Sequence, residues 1–278
     1  MFAKVYLEIT NVCNMSCSFC AGTSRKKHFL TIPEFRILAE KIRPHSEFLY
    51  FHLMGEPLLH PEIETFLMIS HEKGFRVIIT TNGTLLSKVS DILLSSPALF
   101  KVSISLHSFE ANGKTDTSNY FKNCFDFAEK ASDKGIITVF RLWNEGGQNL
   151  MNNEIYSMLK NTFPGEWATN TKGIRIKKKL FIEVGEKFDW PFHSELSSEE
   201  ITCYGLKDHV GVLCDGSGVP CCMDYDGNAV LGNLFEQDFE SIINSEKTKF
   251  FRSNLDVGVA PCDMCKTCGF AQKKFLHK

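Results

Sequence analysis

The stretch Lys4–Cys20, KVYLEITNVCNMSCSFC, decides the fold and the chemistry together. Its first part alternates like a strand. Cys13, Cys17 and Cys20 then crowd into eight residues directly after that strand. A structural zinc or an ordinary cubane cluster usually takes four protein ligands. Three thiolates in one tight loop therefore imply either a remote fourth ligand, for which His28 is the nearest candidate, or a position left open for an exogenous group. Phe19, just before the last cysteine, shields one side of the loop with an aromatic face.

Outward from this loop the chain alternates strands and helices. Strands are expected at Phe48–Leu53, Phe75–Thr81, Lys101–Leu106, Ile136–Leu142 and Gly173–Lys177. Helices are expected near Pro33–Arg43, Pro61–Lys73, Leu85–Leu94, Asn119–Lys134 and Asn153–Asn161. Thr31 and Glu34 are spaced as a capping box for the first helix, and Phe35, Leu38 and Ile42 form its apolar face. Six strands linked by helices call for parallel pairing with right-handed crossovers. A doubly wound sheet and a partial barrel both fit, and in both the ligand lies at the carboxyl ends of the strands. The residues there are CNMSCSFC, MGEP, TNGT, HS and WNEGG. Beyond about Leu180 the alternation fades into a segment rich in Cys, Gly and Asp.

The three-cysteine loop after strand one, with GEP after strand two, resembles the radical S-adenosylmethionine (SAM) superfamily. The resemblance implies a partial (β/α)6 TIM-like barrel over residues 1–180. It implies that Cys13, Cys17 and Cys20 hold a [4Fe-4S] cluster whose open iron is chelated by SAM, which is cleaved reductively to a 5′-deoxyadenosyl radical. By the same resemblance Phe19 lies beside the adenine, and the segment of Gly55 and Glu56 receives the SAM amino group, with Met54 in place of a glycine. Ser103 and Ser105 match ribose-binding positions, and Arg141, helped by Asn144, meets the SAM carboxylate.

The 278-residue chain carries eleven cysteines, an odd number that argues against a fully paired disulfide framework. Seven fall between Cys203 and Cys268. Their pattern resembles the C-terminal cluster-binding extensions called SPASM, in the shortened one-cluster form called twitch, over residues 181–278. The expected auxiliary [4Fe-4S] ligands are Cys203, Cys221, Cys265 and Cys268, a C-x17-C pair joined to a C-x2-C pair. Cys262 can replace either of the last two, whereas Cys222 points away from Cys221 if the segment is extended. Zinc has the same spacing rules, and the association with a radical SAM core selects iron–sulfur. Cys214 and Cys124 read as packing.

Lys and Arg number 31 against 33 Asp and Glu, so the net charge of −2 offers no broad grip on nucleic acid or acidic lipid. The basic run Arg175–Lys179 is the one local hook for nucleic acid. The opening residues lack an apolar signal core and no run reaches the ~20 apolar residues of a membrane span, so a soluble, cytoplasmic protein is expected. The resemblance implies an electron donor such as a flavodoxin or ferredoxin. It implies hydrogen abstraction from a substrate, with a peptide or protein side chain favoured because that use is commoner in such extensions. Dehydrogenation of a small hydroxylated metabolite is the alternative, and a noncatalytic iron–sulfur or zinc scaffold the third reading. Asp215, Asp224, His107 and Glu145 are candidate proton acceptors by position, and no residue is assigned a catalytic role.

Overall fold

The structure, a computed structural model, describes residues 1–113, 119–170 and 173–276. Its first strand, β1 (Lys4–Leu7), leads through the cysteine loop to α1 (Ile32–Ile42). The capping box is formed, with Thr31 Oγ1 accepting from Glu34 N–H and the Glu34 carboxylate from Thr31 N–H. Then follow β2 (Phe48–Tyr50), α2 (Ile63–Glu72), β3 (Arg76–Thr81), α3 (Leu86–Ser95), β4 (Leu99–Ser105), α4 (Tyr120–Asp133), β5 (Ile137–Glu145) and α5 (Asn152–Thr162). β1 through β5 pair in order and in parallel. The helices cover the outer face, where Phe35 of α1 stacks on Phe66 of α2 at 4.1 Å and meets Phe51 edge-on.

The sixth parallel strand is not Gly173–Lys177. β6 (Ala168–Asn170) and β7 (Gly173–Lys177) form an antiparallel edge hairpin, and the strand parallel to β5 is β8 (Leu180–Glu186). The basic run thus lies on β7, between β6 and β8, and on the turn after it, with Lys177 paired to Asp133 at 2.8 Å. β8 begins where the second segment was expected to start.

The C-terminal segment is continuous with the barrel. β9 (His209–Val212) pairs in parallel with β1, followed by antiparallel β10 (Ser217–Val219) and β11 (Gly232–Asn233). The described residues make one eleven-stranded sheet, β11-β10-β9-β1-β2-β3-β4-β5-β8-β7-β6. Four helices, α6 (Phe239–Ile243), α7 (Glu246–Asp256), α8 (Asp263–Lys266) and α9 (Gly269–Leu276), end the chain.

One fully buried carboxylate ties these parts together. Glu8 accepts from Arg25 Nη2 at 2.7 Å, from Met54 N–H at 3.2 Å and from Cys214 N–H at 3.1 Å. Arg25 also donates to the Tyr225 carbonyl, and Asp226 accepts from Thr23 and Ser24. Removing one partner of such a pair leaves an uncompensated buried charge. Arg25→Met is therefore expected to lower the unfolding free energy by about 3 kcal/mol or more, and Glu8→Gln in the same chain to recover part of it, as read from urea denaturation.

Candidate functional site

The cysteine loop is closed at its base before it reaches any metal. Leu30 N–H donates to Ile9 O, Thr10 bridges Phe29, and the Asn11 side chain bonds Lys26 O and His28 N–H. Each sulfur then meets an N–H donor. Asn112 Nδ2 lies 3.0 Å from Cys17 Sγ, Gly22 N 3.4 Å from Cys20 Sγ, and Asn82 Nδ2 3.9 Å from Cys13 Sγ. Burial pushes all three thiols up, and these donors oppose it. Soft sulfur ligands with N–H donors aimed at them fit an iron–sulfur cluster. His28 Nε2 lies 3.3 Å from Glu34 of α1.

Gly55 is demanded by contact. Its φ is +76°, and a Cβ there would sit 2.4 Å from Thr10 O in the base of the cysteine loop. Glu56, 2% exposed, spends its carboxylate on Thr81 Oγ1 (2.7 Å), Asn82 N–H (2.7 Å) and Leu58 N–H (3.0 Å). It thereby fixes Asn82 beside Cys13, and what MGEP still presents to a ligand is backbone.

The inward face of the barrel is polar. Tyr6, Tyr50, His52, Thr80, Ser103 and Arg141 come from five successive strands or their ends. His52 Nε2 is 3.2 Å from Thr80 Oγ1, and burial drops its pKa to about 3, so the ring is neutral. Among the described residues four buried side-chain polar atoms have no partner, and two of them, His52 Nδ1 and Ser103 Oγ, belong to this face. Ser105 is half-buried on the same side of β4. Arg141 donates to Glu183 at 3.1 Å and to Thr80 Oγ1 at 3.3 Å, with its guanidinium 4.5 Å from the Trp143 ring centre. Two of its five N–H groups are thus committed and the others are left for a ligand. Asn144 is absorbed by its own loop, bonding Gln148 O and Asn152.

Beside the cysteine loop a cavity of about 200 Å³ is walled by Phe19, His107, Trp143, Asn144 and Gln148, among others. The Phe19 and His107 rings lie 4.8 Å apart, and Trp190 Nε1 donates to Phe19 O. His107 Nδ1 faces the Arg141 carbonyl at 3.0 Å, which leaves the lone pair on Nε2, and burial holds the pKa at about 4. Of the other candidate acceptors, Asp224 and Asp215 cap turns at Ala229 and Ser217 N–H, and Glu145 lines a separate open cleft.

In the C-terminal segment Cys203, Cys221, Cys222, Cys265 and Cys268 line one cavity of about 120 Å³, together with Tyr6. Cys262 lies outside that wall, 3.7 Å from Cys265 Sγ. Cys222 does not point away as it would from an extended segment, because the chain turns directly after β10. Sequence reasoning missed Glu8, Arg25, Asn82 and Asn112. Asn82 sits in TNGT, whose place after β3 marked it, whereas nothing in the sequence singles out Asn112.

Comparison with known proteins agrees with this geometry. The radical SAM superfamily matches residues 7–159, more than half of the chain, and an iron–sulfur cluster-binding SPASM domain matches residues 203–269. The chain belongs to the radical SAM superfamily and is an enzyme that takes a [4Fe-4S] cluster and SAM, with iron–sulfur in its second domain. It is similar to the S-adenosyl-L-methionine-dependent 2-deoxy-scyllo-inosamine dehydrogenase of Niallia circulans, 21% identical over 96% of this chain and 93% of that protein. The crystal structure of BtrN with AdoMet and 2-DOIA aligns at TM-score 0.65, 18% identical, over 96% and 93% of the two chains. Streptococcus suis SuiB bound to precursor peptide SuiA aligns at 0.59, 14% identical, over 96% of this chain and 71% of that one. Among the described residues no helix is long and apolar enough to cross a membrane.

Burial raises the Glu56 pKa from an ordinary 4.5 to about 7. The folded state therefore holds this proton more tightly than the unfolded chain does, so the contribution is present below pH 4.5 and lost as pH rises through 7. Wild type is expected to lose on the order of 3 kcal/mol more than Glu56→Gln between pH 4.5 and pH 8, measured as denaturant unfolding free energies.

Proposed function

We propose that this enzyme dehydrogenates a small hydroxylated molecule held in the polar lumen of its barrel. The observation that carries the reading is a buried, unpartnered polar atom on that lumen face, His52 Nδ1, in addition to the ribose-matching Ser103 Oγ. Buried polar groups are nearly always satisfied, and a ligand bearing hydroxyls supplies the missing partners. The end-to-end correspondence with a dehydrogenase named for 2-deoxy-scyllo-inosamine supports the same class of substrate.

In this reading Cys13, Cys17 and Cys20 hold the first cluster, and Cys203, Cys221, Cys265 and Cys268 the auxiliary one. Together with SAM, the first cluster supplies the one-electron chemistry that removes a hydrogen atom from carbon. Phe19 and His107 wall the nucleoside side of the site, Ser103 and Ser105 bind the ribose hydroxyls, and the uncommitted N–H groups of Arg141 take the SAM carboxylate. Asn144, fixed by Gln148 and Asn152, walls the cavity and helps at its rim. Once that hydrogen is gone, the hydroxyl proton and one electron remain to leave the substrate, and the auxiliary cluster would be the acceptor for the electron. Glu183 fixes Arg141 for the carboxylate.

A peptide substrate is the second reading. An open cleft of about 410 Å³ at the ends of β5 and β8, lined by Glu145, Gly146, Glu186, Lys187 and Asp189, has room for an extended ligand.

The test is anaerobic reconstitution with dithionite and SAM, offering aminocyclitols and polyols deuterated at the carbinol carbon. Deuterium arriving in 5′-deoxyadenosine supports the proposal. Transfer only from a deuterated peptide would replace it with the second reading. Changing Cys13, Cys17 and Cys20 to Ala is expected to abolish deoxyadenosine while about four irons per chain stay bound.

A further inference from the structure

The auxiliary cavity holds five thiols, one more than a cubane takes. Cys203, Cys221, Cys265 and Cys268 are mutual neighbours across it. Cys222 touches that set but is tied to the other side of the wall. The Tyr6 ring stands beside it in the cavity wall, and Lys4, two residues earlier on β1, lines the same wall. Tyr6 itself belongs to the barrel lumen, its ring 4.9 Å from Tyr50 and edge-on to His52 at 5.5 Å. Cys222 and Tyr6 are therefore the partition between the substrate lumen and the auxiliary centre.

A thiol set beside the Tyr6 hydroxyl has its own S–H to give, and the cavity is the space it lines. Hydrogen bonds to the sulfurs of an iron–sulfur cluster stabilise the reduced state and raise its potential. We infer that Cys222 is not a ligand but a thiol that donates toward the auxiliary cluster, oriented by Tyr6, and thereby sets how readily that cluster accepts an electron from the lumen side. Cys222 is a positioning and tuning residue, bonded through the backbone to the ligand Cys221. The inference rests on the auxiliary site holding a [4Fe-4S] cluster.

The experiment uses the full-length chain with Cys13, Cys17 and Cys20 changed to Ala, so that the auxiliary cluster alone contributes. Iron and sulfide are counted after anaerobic reconstitution, and the midpoint potential is read by electron paramagnetic resonance during a redox titration. With Cys222→Ala the chain is expected to keep about four irons while the midpoint moves to a more negative potential. Cys222→Ser, which retains a donor, is expected to stay near the parent value, and Tyr6→Phe to shift in the same direction as Cys222→Ala by less. Loss of iron from Cys222→Ala would make Cys222 a ligand and overturn the inference, and so would an unchanged midpoint. A parent chain that binds no iron would instead overturn the auxiliary-cluster reading and take this one with it.

Discussion

A carboxylate sealed from water has to find its whole solvation inside the protein, and Glu8 finds it in three places far apart in the chain. Its partners are Arg25 behind the cysteine loop, the Met54 amide at the end of β2 and the Cys214 amide in the C-terminal segment. An ionised group buried this deeply is strongly unfavourable unless all these donors are present at once. The cysteine loop, the MGEP segment and the auxiliary segment are thus made interdependent by one side chain. The sheet repeats the same coupling, since β9 extends it in parallel from β1.

The first site is built from the ends of successive strands, with each end bracing the next. Glu56 after β2 holds Asn82 after β3, Asn82 reaches Cys13, and Asn112 after β4 reaches Cys17. Glu56 and Asn144 spend their polar atoms on neighbouring protein groups, whereas Ser103 and Arg141 keep uncommitted ones. The contrast is one of satisfaction. Glu56 and Asn144 have their partners within the protein, while Ser103 Oγ and His52 Nδ1 have none.

The lumen and the auxiliary cavity share a wall. Tyr6 lines the cavity and packs among Tyr50, His52 and His209 on the inward face. A substrate in the lumen is then separated from the second metal centre by a side chain and a thiol rather than by a layer of core. This geometry suits chemistry that starts at one centre and disposes of an electron at the other.

The sequence by itself determined the parts whose physics is local. Periodicity placed β1 to β5, five of the seven strands that pair in parallel among the described residues, because buried strands and amphipathic helices carry their period in any short window. The capping box at Thr31 and Glu34 is legible for the same reason, as are three thiols crowded after a strand. The sixth strand was misplaced because Gly173–Lys177 is a strand too, and only pairing partners tell an antiparallel edge from the parallel neighbour of β5. The direction of Cys222 was not legible because it depends on a turn, not on its type. Only tertiary structure brought Glu8 to Arg25 and Cys214, Asn112 to Cys17, and Tyr6 to Cys222. Those contacts join residues up to 216 positions apart through space, and no window of sequence records which buried polar group will meet which.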